Sequence, residues 1–492
     1  MSVAGRARAA LGALGLCAAC TRPAPRAAIP AVGRPAAAVS ASPPWRYDVT
    51  ATEGARELSV EARIAAPAGE ALGVEGAGRF LSGVEISTGG PFQPLPFQRD
   101  AAFEPTFTLP ACPPEGCRLR YRFALAEAAH RVSDVACAEE ANGAFLTSPA
   151  AWLLHPAEAA DGQTFELRVA TPPGIAFVAG LLPAGRDAFT LPPASYAADA
   201  SDLPNPAWAA FGDLHLHRVQ VEDEALDVAV LPGAVACGEE ALAGWVDSSA
   251  RAVRSYYGRA SIRRALVVIV PGRGRGPGFA RTLGNGGASI LANVGERTTP
   301  ADLAGTWELI HELLHVSFPN MPREQAWLEE GMATYVEPLV RARLGIITPE
   351  EVFARFHERM PLGLPEGGDQ GLDHTHSWGR TYWGGALFYL LADVAIRERT
   401  GGRRSLDDAL RAVLAAGGNV SQRWDVDQVV AAGDAATGVP VLRELYDRMG
   451  SAPAPVDLPA LWRRLGVAER GGEVVLDDAA ELAALRRSMT LR

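Results

Sequence analysis

The sequence predicts an α+β, multidomain protein, and three observations carry that prediction. Short runs alternating apolar and polar residues fill residues 45–205, a wholly apolar run follows at 265–270, and capped helical patterns dominate beyond residue 299. The expected architecture is an N-terminal antiparallel β domain, then a mixed α/β domain, then a mainly helical C-terminal region. At 492 residues and 48% hydrophobic content the chain can build two or three domains of about 100–200 residues each.

Composition narrows the function before any motif is read. A formal charge of -11 argues against a nucleic-acid partner, because phosphate binding needs a basic face. All 46 basic residues are arginine, since the sequence has no lysine. That excludes a P-loop lysine, a Schiff-base lysine and a Ser/Lys dyad.

Residues 1–20 read as a signal peptide, with Arg6 and Arg8 ahead of an apolar stretch and small residues before Cys20. The stretch is too short to span a membrane. Its Ala18-Ala19-Cys20 ending resembles a bacterial lipobox, which implies lipidation of Cys20, with Cys17 standing where an aliphatic residue is usual. Simple cleavage and secretion is the alternative. Either way the expectation is an exported protein of the cell envelope or periplasm; in the lipobox reading it touches the membrane only through an N-terminal lipid anchor. Residues 21–44 are a Pro/Ala-rich linker without the apolar residues of a core.

Residues 45–205 form the expected β domain. In RLRYRFAL, Leu119, Tyr121, Phe123 and Leu125 share one face at period two, with arginines opposite. An oxidising compartment favours a disulfide between Cys112 and Cys117 across the Pro-Pro-Glu-Gly turn. The pairing of Cys137 and Cys237 stays open.

The second domain is placed at 206–345. Its segments HLHRVQV and ALDVAVLPG suggest a hairpin, EEALAGWVDSSARAVRSYYG a helix, and ALVVIV a buried strand. The glycine-rich stretch after it does not fit a dinucleotide fingerprint and reads as a loop leading to the strand ASILANV. Thr299, Pro300 and Asp302 make a helix start ahead of HELLH, and AWLEEGMATYVEPLVRARLG reads as a second helix. From 346 to 492 capping patterns recur at Thr348–Glu351 and Ser405–Asp408, and the region reads as mainly helical.

The chemistry concentrates in HELLHVSFPNMPREQAWLEEGMATYVE, residues 311–337. His311 and His315 stand four apart on one helix, so two imidazoles converge on one point, as zinc requires. Glu312, about 100° round the helix, can reach a metal-bound water as its general base. A catalytic zinc takes a third protein ligand, and neither Phe318 nor Met321 supplies a histidine. Glu324, before the second helix is established, is the weakest carboxylate candidate. Periodicity leaves Glu329 and Glu330 close to even.

HELLH followed by WLEEG resembles the gluzincin metallopeptidases, and the whole pattern is similar to the glycyl aminopeptidase family. That resemblance implies a thermolysin-like catalytic domain, one Zn2+ ion, a peptide or protein substrate, and Glu330 as the third ligand. It extends to GRTYWGGALFYLLADVAIRERTGG, where the family places a tyrosine that stabilises the tetrahedral intermediate; here that is Tyr382. A Gly-x-x-Glu element on the edge strand orients substrate and, in aminopeptidases, holds the free α-amine. The nearest segment is GNGGASI, which puts Gly286, Gly287 and Ser289 in the expected substrate-binding set, with serine in place of glutamate. Aminopeptidase activity is the implied reading, with an endo- or oligopeptidase, or a non-catalytic envelope protein keeping the fold, as alternatives. No PDZ-like segment is evident.

His374 and His376, in the loop before Tyr382, join the candidate substrate-binding residues. His215 and His217 share one strand face and read as a surface pair. Trp307 and Trp327 are expected to pack the two metal-bearing helices together.

Overall fold

The computed structural model describes residues 43–99, 105–134, 137–185 and 190–491. The signal-like segment with Cys20, and the linker up to residue 42, lie outside the described residues.

Alternation of buried and exposed side chains, strict in three of its seven strands, builds the first sheet. It comprises β1 (Trp45–Ala51), β2 (Leu58–Ile64), β3 (Leu81–Ser87), β4 (Gln93–Pro94), β5 (Cys117–Phe123), β6 (Thr164–Ala170) and β7 (Ser195–Asp199), in the order β7-β6-β1-β2-β5-β3-β4. Every pairing is antiparallel except β1 with β6. The inward face buries Tyr47, Val60, Leu119, Tyr121 and Phe123. Each buried phenol finds a carbonyl, Tyr47 donating to Leu154 at 2.8 Å and Tyr121 to Trp152 at 3.0 Å, so the apolar layer leaves neither unpaired. Cys112 and Cys117 are bonded at the head of β5, whereas Cys137 and Cys237 are not in disulfides.

Two four-stranded sheets flank this one. The sheet of strands Ala138–Ala141, Ala144–Thr147, Ala176–Ala179 and Ala209–Gly212 carries the β region on to residue 212 and packs against the next layer.

That layer is a five-stranded sheet: β8 (His215–Val221), β9 (Glu224–Val230), β10 (Arg264–Gly272), β11 (Pro277–Leu283) and β12 (Ser289–Gly295), ordered β8-β9-β10-β12-β11. The apolar run of β10 is explained by burial on both faces. Val267 and Ile269 meet the helices, while Leu266 and Val268 meet Trp208 and Leu146 of the β region. β11 runs antiparallel to β12 and forms the sheet edge.

Helices α1 (Glu239–Tyr257), α2 (Glu308–Val316), α3 (Ala326–Arg343), α4 (Pro349–Arg359) and α5 (Gly385–Thr400) cover the other face and continue into the C-terminal helices. The C-terminal region includes one hairpin, Val467–Arg470 with Glu473–Leu476. Thr299 and Asp302 do form a capping box, but on a single turn, Pro300–Leu303. Gly305 then takes a left-handed φ of +68, ending that turn, so HELLH lies on a separate helix rather than on the continuous one the sequence suggests.

Candidate active site

α2 and α3 meet so that three donor atoms form a nearly equilateral triangle. His311 Nε2 and His315 Nε2 are 3.3 Å apart, and Glu330 Oε2 lies 3.4 Å and 3.3 Å from them. A tetrahedral zinc with bonds of about 2.0–2.1 Å sets its ligand atoms roughly 3.3–3.4 Å apart, so the triangle has the size of one tetrahedral face. Glu330 Oε2 and His311 Nδ1 are buried without a hydrogen-bond partner. The donor set and the orphaned carboxylate oxygen both fit a metal ion. Among the described residues this is the one His/Cys/Asp/Glu group compact enough to hold one.

The electrostatics agree. Burial alone would push the His315 imidazole down, but Glu330 beside it outweighs that and raises it to about 9. Burial would raise the Glu330 carboxyl, yet His315 and His311 hold it well below the usual carboxylate range. The pocket therefore favours positive charge at the triangle, which a divalent cation supplies without protonating either imidazole.

The neighbouring carboxylates are sorted by what they touch. Glu329 turns away, its Oε1 accepting the backbone N–H of Met321, and burial pushes it up to about 7. The structure thus brings Glu330, and not Glu329, into the triangle. Glu312 is buried, with Oε2 2.8 Å from Thr282 Oγ1, the same hydroxyl lying 2.9 Å from the Glu312 carbonyl oxygen. One side chain on the sheet edge thereby fixes the orientation of the proposed base.

Tyr382 sits in a π-helical turn, Gly379–Gly384, that leads into α5. Burial first, then the Glu330 carboxylate, lift its phenol above the ordinary range, so it is a proton-bearing donor at neutral pH. Its ring stacks on exposed Trp378 at 5.8 Å. Two glycines make this approach possible: a Cβ on Gly331 would collide with the Gly385 backbone, and one on Gly385 with the Trp327 carbonyl. α3 and α5 therefore cross at backbone contact, which brings Glu330 and Tyr382 to one place. At the base of the preceding loop, Asp373 accepts from Trp327 Nε1 at 2.8 Å and from Tyr446 at 2.7 Å.

Several expectations are corrected. Gly286, Gly287 and Ser289 do not line a substrate edge: all three are buried. A Cβ on Gly287 would strike Gly180, and Ser289 Oγ lies inside the sheet, accepting from Trp208 N–H at 2.9 Å and 3.1 Å from the Leu283 carbonyl. The edge strand is β11, whose Gly278-Phe279-Ala280-Arg281 places an arginine where the Gly-x-x-Glu pattern has its acid. Trp327 is buried between helices as expected, but Trp307 is 41% exposed and meets the His311 ring edge-on at 5.7 Å. His374 and His376 are exposed and outside the triangle. His215 and His217 both bond to Glu239 in the first turn of α1.

Thr282 and Arg281 escaped the sequence reading. Only the pairing of β11 with β12 identifies the edge.

No protein-family model matches the sequence, and no curated protein matches it. Solved structures do. An aminopeptidase N family protein from Idiomarina loihiensis matches with TM-score 0.63 at 15% identity, over 86% of this chain and 78% of that one. An M1 zinc metallopeptidase from Deinococcus radiodurans matches with TM-score 0.51 at 16% identity, over 84% of this chain and 94% of that one. A variant of it bound to a Tyr-Ser-Ala substrate matches equally, at TM-score 0.51 and 16% identity, covering 84% and 95%. The fold is that of the M1 zinc metallopeptidases: an N-terminal β region, a thermolysin-like α/β region and a helical C-terminal part.

Proposed function

We propose that this chain is an exported zinc metallopeptidase that hydrolyses peptide bonds. The observation that carries the reading is the meeting of a three-donor triangle, a held carboxylate and a phenol donor at one place. His311, His315 and Glu330 would hold the zinc. A zinc ion bound there supplies Lewis-acid polarisation and a water of lowered pKa. Glu312, oriented by Thr282, takes the proton of the attacking water and returns it to the leaving nitrogen. Tyr382 donates a hydrogen bond to the oxyanion that develops on the carbonyl oxygen. Exposed Trp378 and Trp307 flank Tyr382 and His311 and offer apolar surface to substrate side chains.

Aminopeptidase action is what the family resemblance implies. Arg281 at the acid position of the edge strand favours the alternative, an endo- or oligopeptidase that needs no free α-amine. Export and a lipid anchor at Cys20 rest on the N-terminal sequence, and the Cys112–Cys117 disulfide supports an oxidising compartment.

The test pairs metal analysis with cleavage of one peptide library presented with free and with acetylated N-termini. Bound zinc and cleavage of both forms are expected. Cleavage of free N-termini alone restores the aminopeptidase, and no cleavage by the zinc-loaded protein leaves a binding role.

A further inference from the structure

We propose that Arg281 is a specificity-determining residue selecting peptides that carry a carboxylate close to the scissile bond; this rests on the peptidase reading above. β11 has no strand on its outer side among the described residues, so its backbone groups are open to an added strand. Its side chains alternate. Thr282, paired with Ile290, faces the helices and reaches Glu312, while Arg281, paired with Leu291, faces the β region. Residue 281 is therefore one step along the strand from the group that holds the proposed base.

The Arg281 guanidinium is exposed and lies over the ring of Trp208, its central carbon 5.9 Å from the ring centroid. It has no hydrogen bond or ion pair among the described residues. Nearby Arg275, by contrast, is held at 2.9 Å by Asp302. The two carboxylates of the site, Glu330 and Glu312, are committed to the triangle and to Thr282. The spare charge at the cleft is positive.

An extended peptide added to β11 presents alternate side chains to the Arg281 face. An acidic side chain there meets a planar guanidinium that can bind both carboxylate oxygens. The neighbouring peptide unit then lies near Thr282 and Glu312. A free ammonium at the same place meets like charge.

The test uses acetylated Ala/Phe pentapeptides in which one Glu is walked through the positions, each with a Gln twin. Binding is read by fluorescence anisotropy on the zinc-loaded Glu312→Gln protein, in which turnover is expected to be slowed about 10²- to 10⁴-fold, and kcat/KM is read on the unmodified protein. One Glu position should bind, and be cleaved, about two- to fivefold better than its twin, the size of one solvent-exposed ion pair. Arg281→Gln should erase that ratio. Arg281→Glu should shift the preference to the same peptides with a free N-terminus. Equal binding of every pair, or a preference that survives Arg281→Gln, overturns the proposal. If the unmodified protein cleaves nothing while the binding ratio and its loss in Arg281→Gln persist, the peptidase reading falls and the carboxylate site stands.

Discussion

The helical wall of the cleft and its strand wall differ in how firmly their polar groups are committed. On the helical wall His311, Glu312 and their neighbours are buried, the donor atoms stand within 3.4 Å of one another, and Gly331 and Gly385 let the helices cross at backbone contact. On the strand wall β11 has one free edge, Thr282 is half-buried and Arg281 is exposed. Backbone contact and burial hold the first wall, so a change there is expected to remove metal or chemistry. Little fixes Arg281, so a change there alters which peptide is accepted.

The largest effect should come from the triangle itself. Glu330→Ala is expected to lose the metal and with it all measurable turnover, while Glu329→Ala keeps the metal; plasma emission analysis of both proteins decides it. Equal metal loss would mean that the two carboxylates are not sorted as their contacts indicate. Next, Glu312→Gln should retain the metal and lower kcat by about 10²- to 10⁴-fold, the usual contribution of a general base. A rate near the unmodified one would leave the helical wall a binding site only.

Tyr382→Phe should lower kcat by about 10²-fold with metal content unchanged, as for loss of one oxyanion donor. Pre-steady-state kinetics can separate that from slower product release. The smallest effect crosses between the walls. Thr282→Val removes the hydroxyl beside Glu312 and should lower kcat by about tenfold, the scale of one hydrogen bond to a charged group, with KM little changed. A change in KM alone would assign Thr282 to substrate contact and erase the distinction drawn between residues 281 and 282.

The same contrast explains what could be read from the sequence. His311, Glu312 and His315 are legible because helical spacing puts them on adjacent positions of one short segment, a purely local relation. The strands β1, β2 and β5 are legible for the same reason, since alternation records a half-buried sheet. Glu330 against Glu329 is not local: the choice depends on where the Met321 N–H falls after the loop closes. Least legible was the edge strand. GNGGASI and GFART both follow β10 closely in sequence, and only the hydrogen-bonded order β10-β12-β11 puts the first inside and the second at the edge. Burial of Ser289 and exposure of Arg281 are consequences of that order, which no periodicity within either segment records.

The π-helical turn that carries Tyr382 holds one residue more than an α-helical turn of equal length would. Each residue advances a helix by about 100°, so the surplus sets the azimuth of the phenol. Removing Thr381 would let α5 extend backward as regular helix and swing the hydroxyl off Glu330, with no side chain in the cleft altered. The azimuth of the Tyr382 phenol is thus recorded in chain length rather than in any side chain beside it.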